Sequence, residues 1–144
     1  MANIFDVAKY ILNEIGEIST MKLQKLCYYS QVTSLQEKNK NLFSEDFEAW
    51  ANGPVCRDLF NIHKGKFSLL ARDIPNALLA SLSIEEKEVI NIAIEKYGAY
   101  SGATLSSMTH SEEPWKNARE GIEASQNCNK KISKASIKRF YCKN

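Results

Sequence analysis

The chain has 144 residues and a mass of 16.3 kDa, with 44% hydrophobic, 10% aromatic and 25% charged residues. This composition fits one globular domain and excludes two full domains, a collagen-like repeat or a disordered tail protein. The net charge of +2 hides an asymmetry: Lys130, Lys131, Lys134, Lys138, Arg139 and Lys143 follow Asn129 with no acid among them, which leaves −4 for the first 129 residues.

Ile4, Phe5, Val7, Ala8, Ile11, Leu12 and Ile15 keep the three-and-four spacing of a helical stripe, which Gly16 is placed to end. Ser19 caps a second helix, in which Leu23, Leu26, Cys27 and Ser30 share a face before Asn39 and Asn41 end the periodicity. Phe47, Ala49 and Ala51 then alternate with Glu48, Trp50 and Asn52 as far as Gly53-Pro54, so a short extended or β segment is expected near residues 42–52. Pro54 suits the first position of a third helix, running through Val55, Leu59 and Ile62 to Gly65. Residues 66–82 read as a loop with a short helical turn around Asn76 to Ser81.

Ser83 and Glu86 have capping-box spacing and open a helix whose face is Val89, Ile90, Ala93, Ile94 and Tyr97. Ser101 caps a shorter helix through Leu105 and Met108. Pro114 opens another that carries Trp115, and Ser133 caps a terminal one with Ile137, Phe140 and Tyr141 on the docking side. The expected architecture is a mainly α, compact single-domain bundle of about six helices spanning residues 1–144, with a basic helical segment at 130–143. Charges such as Asp6, Lys9, Lys22 and Glu88 break every apolar stretch well short of the ~18 to 20 residues a membrane span needs. The first ten residues place an acid and a base where a secretory signal would be apolar, so a cytoplasmic protein with no membrane association is expected.

The four cysteines (Cys27, Cys56, Cys128, Cys142) and two histidines (His63, His110) show no pair at zinc-site spacing, so neither a metal nor another cofactor is expected. A thiol–imidazole nucleophile built from Cys27 or Cys56 with His63 or His110 is open to the fold, but both cysteines fall on apolar stripes, where a core thiol is the simpler reading. No glycine-rich phosphate loop or His-Glu-x-x-His helix occurs, and no catalytic residue is expected. Tyr28, Tyr29, Trp50, Tyr97, Tyr100 and Trp115 combine large apolar area with a polar atom, which suits either an aromatic core or a protein-binding surface. The basic C-terminal segment leaves nucleic acid open as an alternative partner.

Three blocks carry a resemblance. They are Met21-Lys22-Leu23-Gln24-Lys25-Leu26-Cys27-Tyr28-Tyr29-Ser30-Gln31, then Phe47-Glu48-Ala49-Trp50-Ala51-Asn52-Gly53-Pro54-Val55, then Thr109-His110-Ser111-Glu112-Glu113-Pro114-Trp115. In this order and at these separations they resemble the Panacea antitoxin domain, also found in the SocA proteolytic adaptor and in phage-associated GepA-like proteins. The resemblance spans Ile4 to about Phe140. It implies a helical domain that neutralises a cognate toxin, encoded beside it, by direct protein binding. In the adaptor branch it also implies delivery of the toxin to a AAA+ protease. Trp50, Asn52, Gly53, Pro54 and Val55 are expected to contribute to the partner contact. Lys22, Leu23, Lys25, Leu26, Tyr28, Tyr29, His110, Pro114 and Trp115 are expected to be framework, with His110 capping carbonyls at a helix end.

Overall fold

In the computed structural model the described residues are 1–75, 77 and 79–142. Asn76 and Lys143, which entered the expectations for the 76–81 turn and the basic segment, lie outside them. Among the described residues, seven α-helices and five short strands in two small sheets make a mainly α fold.

Helix α1 (Ile4–Ile15) opens on a capping box between Asn3 and Asp6 and stops at Gly16, whose φ of 83° suits a residue without a Cβ. Strand β1 (Ile18–Ser19) leads into α2 (Thr20–Lys38), capped by the Ser19 hydroxyl and ended by Asn39 in the left-handed region. Helix α2 is the axis of the molecule, because every residue from Leu23 to Leu35 is buried. An amphipathic stripe with a solvent face is therefore not what forms. Its polar side chains are satisfied inside: Ser30 and Thr33 bond carbonyls one turn back, and Gln31 bonds the backbone of Leu42 and Phe43.

Strands β2 (Phe47–Trp50) and β3 (Gly53–Val55) form a hairpin across Ala51-Asn52, with Ala49 opposite Pro54 and Trp50 opposite Gly53. Pro54 is thus a strand residue and does not open the third helix. Ala49 directs its N–H to Lys130 and its carbonyl to Arg119, so the position facing Pro54 requires no ladder bond from the proline nitrogen. Helix α3 (Arg57–His63) begins three residues later, after Cys56. Strand β4 (Ser68–Leu69) pairs with β1, and Leu79–Ser81 is a 3-10 turn, as the expected helical turn requires.

Helix α4 (Ile84–Tyr97) carries the Ser83–Glu86 capping box, and α5 (Gly102–His110) starts at the Ser101 cap. Helix α6 (Glu113–Ala118) holds Pro114 in its first turn. Strand β5 (Lys131–Ile132) pairs antiparallel with β2, giving the order β3-β2-β5, and α7 (Lys134–Tyr141) follows the Ser133 cap. Helices α1, α4, α5 and α7 and strand β3 all pack on α2, around a core that includes Ile4, Val7, Ile11, Leu26, Ile90 and Leu105. No described helix is long and apolar enough to cross a membrane.

Candidate functional site

The β2–β3 hairpin is held from below by a lysine. Lys25 projects from α2, is fully buried, and donates from Nζ to the Pro54 carbonyl at 3.1 Å. Room for it exists only because residue 53 is glycine. A Cβ there would lie 2.4 Å from Lys25 Cε and 2.9 Å from Thr109 Oγ1, and the φ of 113° disfavours any other residue. Burial with no described carboxylate as partner lowers the Lys25 amine to about 7.

Behind the hairpin, Trp115 donates from Nε1 to the Trp50 carbonyl at 2.8 Å, and its ring is stacked 4.0 Å from that of His110. The Arg119 guanidinium sits 5.0 Å from the Trp115 ring centre and donates to the carbonyls of Ala49, Glu123, Ala124 and Gln126. His110 is half-buried and bonds the backbone of Ala51. Burial first, then the nearby Lys25 and Arg119 charges, lower its pKa against that bond. Its role at the helix end is therefore a stacked ring against the hairpin turn, and no carbonyl of its own helix is capped by it.

Beside the hairpin lies a cavity of about 770 Å³. Fully or nearly buried Gln24, Lys25 and His63 line it, together with Trp50, Val55 and Phe60, and Asn52, Arg57, Asn127, Asn129 and Lys130 are exposed at its rim. Gln24 is fixed by bonds to both backbone atoms of Cys56 and to His63 Nε2 at 3.0 Å. Trp50 meets Phe60 edge to face at 4.8 Å between ring centres, and its other neighbour, Arg57, is paired with Glu48 through Nε and a terminal nitrogen. Burial opposes ionisation of Glu48, but its bonds from Arg57 and Trp50 prevail and hold the carboxyl below its usual range.

A second constellation ties the chain's end to this body. Glu112 Oε1 accepts from Tyr29 at 2.7 Å and from Tyr141 at 2.6 Å, and the Tyr141 hydroxyl is 3.3 Å from that of Tyr28. Burial followed by the Glu112 charge raises both Tyr29 and Tyr28, and burial, Tyr28 and Glu112 raise Tyr141.

The three sequence blocks thus converge on one hairpin and one helix. The model of the Antitoxin SocA-like, Panacea domain family matches residues 23–116, more than half of the chain. The chain belongs to this family. No curated protein and no solved structure matches it. The Panacea match runs from Leu23, near the start of the first block, to Lys116, just past the third, and leaves out α1, β1, β5 and α7.

Within this Panacea domain the expected framework residues are mostly buried. Leu23, Leu26, Tyr28 and Tyr29 are in the core, Lys22 donates to the Gly98 carbonyl at the end of α4 at 2.6 Å, and Pro114 is buried with Trp115. The residues expected at the partner contact divide by exposure. Asn52 is exposed and Trp50 partly so, whereas Gly53, Pro54 and Val55 are buried and shape the hairpin from within. Glu112 and Arg119 were not singled out as anchors by the sequence reading. An acid beside a proline and a lone arginine carry no local sign of the carbonyls and phenols they meet.

The thiol–imidazole option finds no reactive thiol. Burial pushes the Cys27 thiol well up and holds that of Cys56 at about 11. His63 Nε2 is engaged with Gln24. Among the described residues no group of three metal-ligating side chains comes together.

Proposed function

We propose that this protein is the antitoxin of a toxin–antitoxin pair and silences a protein toxin by direct binding, with the exposed end of the β2–β3 hairpin at Trp50 and Asn52 in the contact. The observation that carries the reading is the family match, which covers the hairpin together with Lys25 and Trp115 that brace it. Binding of this kind needs no catalytic group. A hairpin held by Lys25, Trp115 and Arg119 loses little conformational entropy on docking, which favours an aromatic anchor such as Trp50 as an energetic centre. The nucleic-acid alternative is less well supported, because Lys134 is bonded to Asp46 and Ser44 and Lys131 is paired with Asp46 at 3.5 Å.

The test is co-expression with the neighbouring open reading frame in a cell that the neighbour alone arrests. Wild type is expected to restore growth and to co-purify with the neighbour, and folded Trp50→Ala or Asn52→Asp to do so less well. A toxic neighbour that wild type neither silences nor binds rules out the antitoxin reading for that pair. Full rescue by both folded variants removes the hairpin end from the contact and leaves the antitoxin role intact.

A further inference from the structure

We propose that the cavity beside the β2–β3 hairpin is a binding site for a small aromatic anion, a planar ring system carrying a carboxylate, sulfonate or phosphate. Its volume of about 770 Å³ lies within the roughly 300–1,000 Å³ of small-molecule sites. Trp50, Phe60 and Val55 give it an apolar, ring-shaped wall, and the edge-to-face pair at 4.8 Å is a rigid one.

The sign of the ligand follows from the charges. The lining contains Lys25, Arg57 and Lys130 and neither Asp nor Glu. Arg57 is already matched by Glu48, which lies outside the lining. Lys25 is not matched: of its three possible donors, one meets the Pro54 carbonyl, and no described carboxylate pairs with it. A buried ammonium without a counter-charge is costly, and an anion in the adjoining cavity supplies that charge through a medium of low dielectric. Gln24 has its amide fully committed to Cys56 and His63, so it stiffens this wall. Exposed Asn127, Asn129 and Lys130 leave the cavity open to solvent on one side. The site shares Trp50 and Asn52 with the proposed toxin contact, but its charge and shape stand whether or not the protein silences a partner.

The probes are 1-anilinonaphthalene-8-sulfonate, which fluoresces in apolar surroundings, and N-phenyl-1-naphthylamine, the same rings without the sulfonate. Both are titrated into the full folded chain at pH 6.5, where the Lys25 amine is mostly charged. The sulfonate dye is expected to saturate at one molecule per chain and to bind at least tenfold more tightly than the neutral dye. Asn129→Trp at the exposed rim should weaken both dyes at least fivefold. Lys130→Gln should weaken the sulfonate alone about threefold, and Lys25→Met, where it folds, should do the same by a larger factor. Absence of saturable binding, equal affinity for the two dyes, or undiminished sulfonate binding by folded Asn129→Trp overturns the proposal. Asn129 is exposed, so that last arm does not depend on whether Lys25→Met folds.

Discussion

An amine buried as fully as that of Lys25 has to be accommodated by its neighbours, and the accommodation falls on Gly53. Gly53→Ala adds a Cβ against Lys25 Cε and forces a side chain into a positive-φ conformation. Combining a left-handed cost of about 1–2 kcal/mol with an overpacking cost of about 1–3 kcal/mol, the variant should lose on the order of 3 kcal/mol, read as a lower denaturation midpoint. The same lysine makes stability depend on pH. Its amine titrates near 7 in the folded chain and near its ordinary 10.5 once unfolded, so between those values the unfolded chain binds the extra proton. The burial penalty is complete below pH 7 and is relieved as pH rises, by up to roughly 1.4 kcal/mol per unit. Cys56 acts in the opposite direction from pH 9, where an unfolded thiol ionises while the folded one waits until about 11, and the buried tyrosines add to that loss above pH 10. Thermal midpoints should therefore rise from pH 7 to 9 and turn over above it, and Lys25→Met should flatten the rise. Trp115→Ala removes a ring packed between His110 and Arg119 and should cost on the order of 3–5 kcal/mol. An unchanged midpoint would place the ring's value elsewhere than in stability.

Elements with a local signal were legible in the sequence. Ser19, Ser83, Ser101 and Ser133 each cap the helix they were expected to open, because a hydroxyl and the first-turn N–H groups are all that such a start requires. Helix α2 was only half legible. Gln24, Lys25 and Gln31 look like a solvent face in any window of the chain, and their partners are carbonyls and amides 11 to 32 residues away. Pro54 misled for a different reason. Its missing N–H serves a helix start and an unbonded strand position equally, so the residue alone does not choose between them. The candidate site was legible as three blocks but not as a geometry, since nothing in Lys25 or Gly53 alone says that one lies beneath the other. The docking of α7 was read from spacing, and Ile137 and Tyr141 do pack on the body, but the Glu112 carboxylate that holds Tyr141 was not foreseen. Tyr141→Phe removes a charge-assisted bond and should lower stability by about 1.5–3 kcal/mol, with little change in helix content by circular dichroism.

At the scale of the whole molecule, the centre of the sheet is completed by distant chain. Strand β2 has β3 on one side, a few residues away, and β5 on the other, where Phe47 faces Ile132 and Glu48 faces Lys131. Deleting everything after Asn129 should leave Phe47 and Tyr28 uncovered and lower the melting temperature. An unchanged melt with lost retention of DNA in a low-salt gel shift would instead mean that the segment serves nucleic acid. The closure of β2 by β5 also orders events in time. A chain leaving the ribosome has the β2–β3 hairpin, α2 and α4 in hand long before residues 131–141 exist, and contacts of such wide sequence separation form late. Until they form, the hairpin lacks one flank of its sheet and Glu112 lacks one of its phenols. The surface proposed to meet the toxin therefore matures only when β5 and α7 are made. A ribosome that stops short of Tyr141 yields a product without the finished face, so on the proposed function only chains carried past α7 silence the toxin.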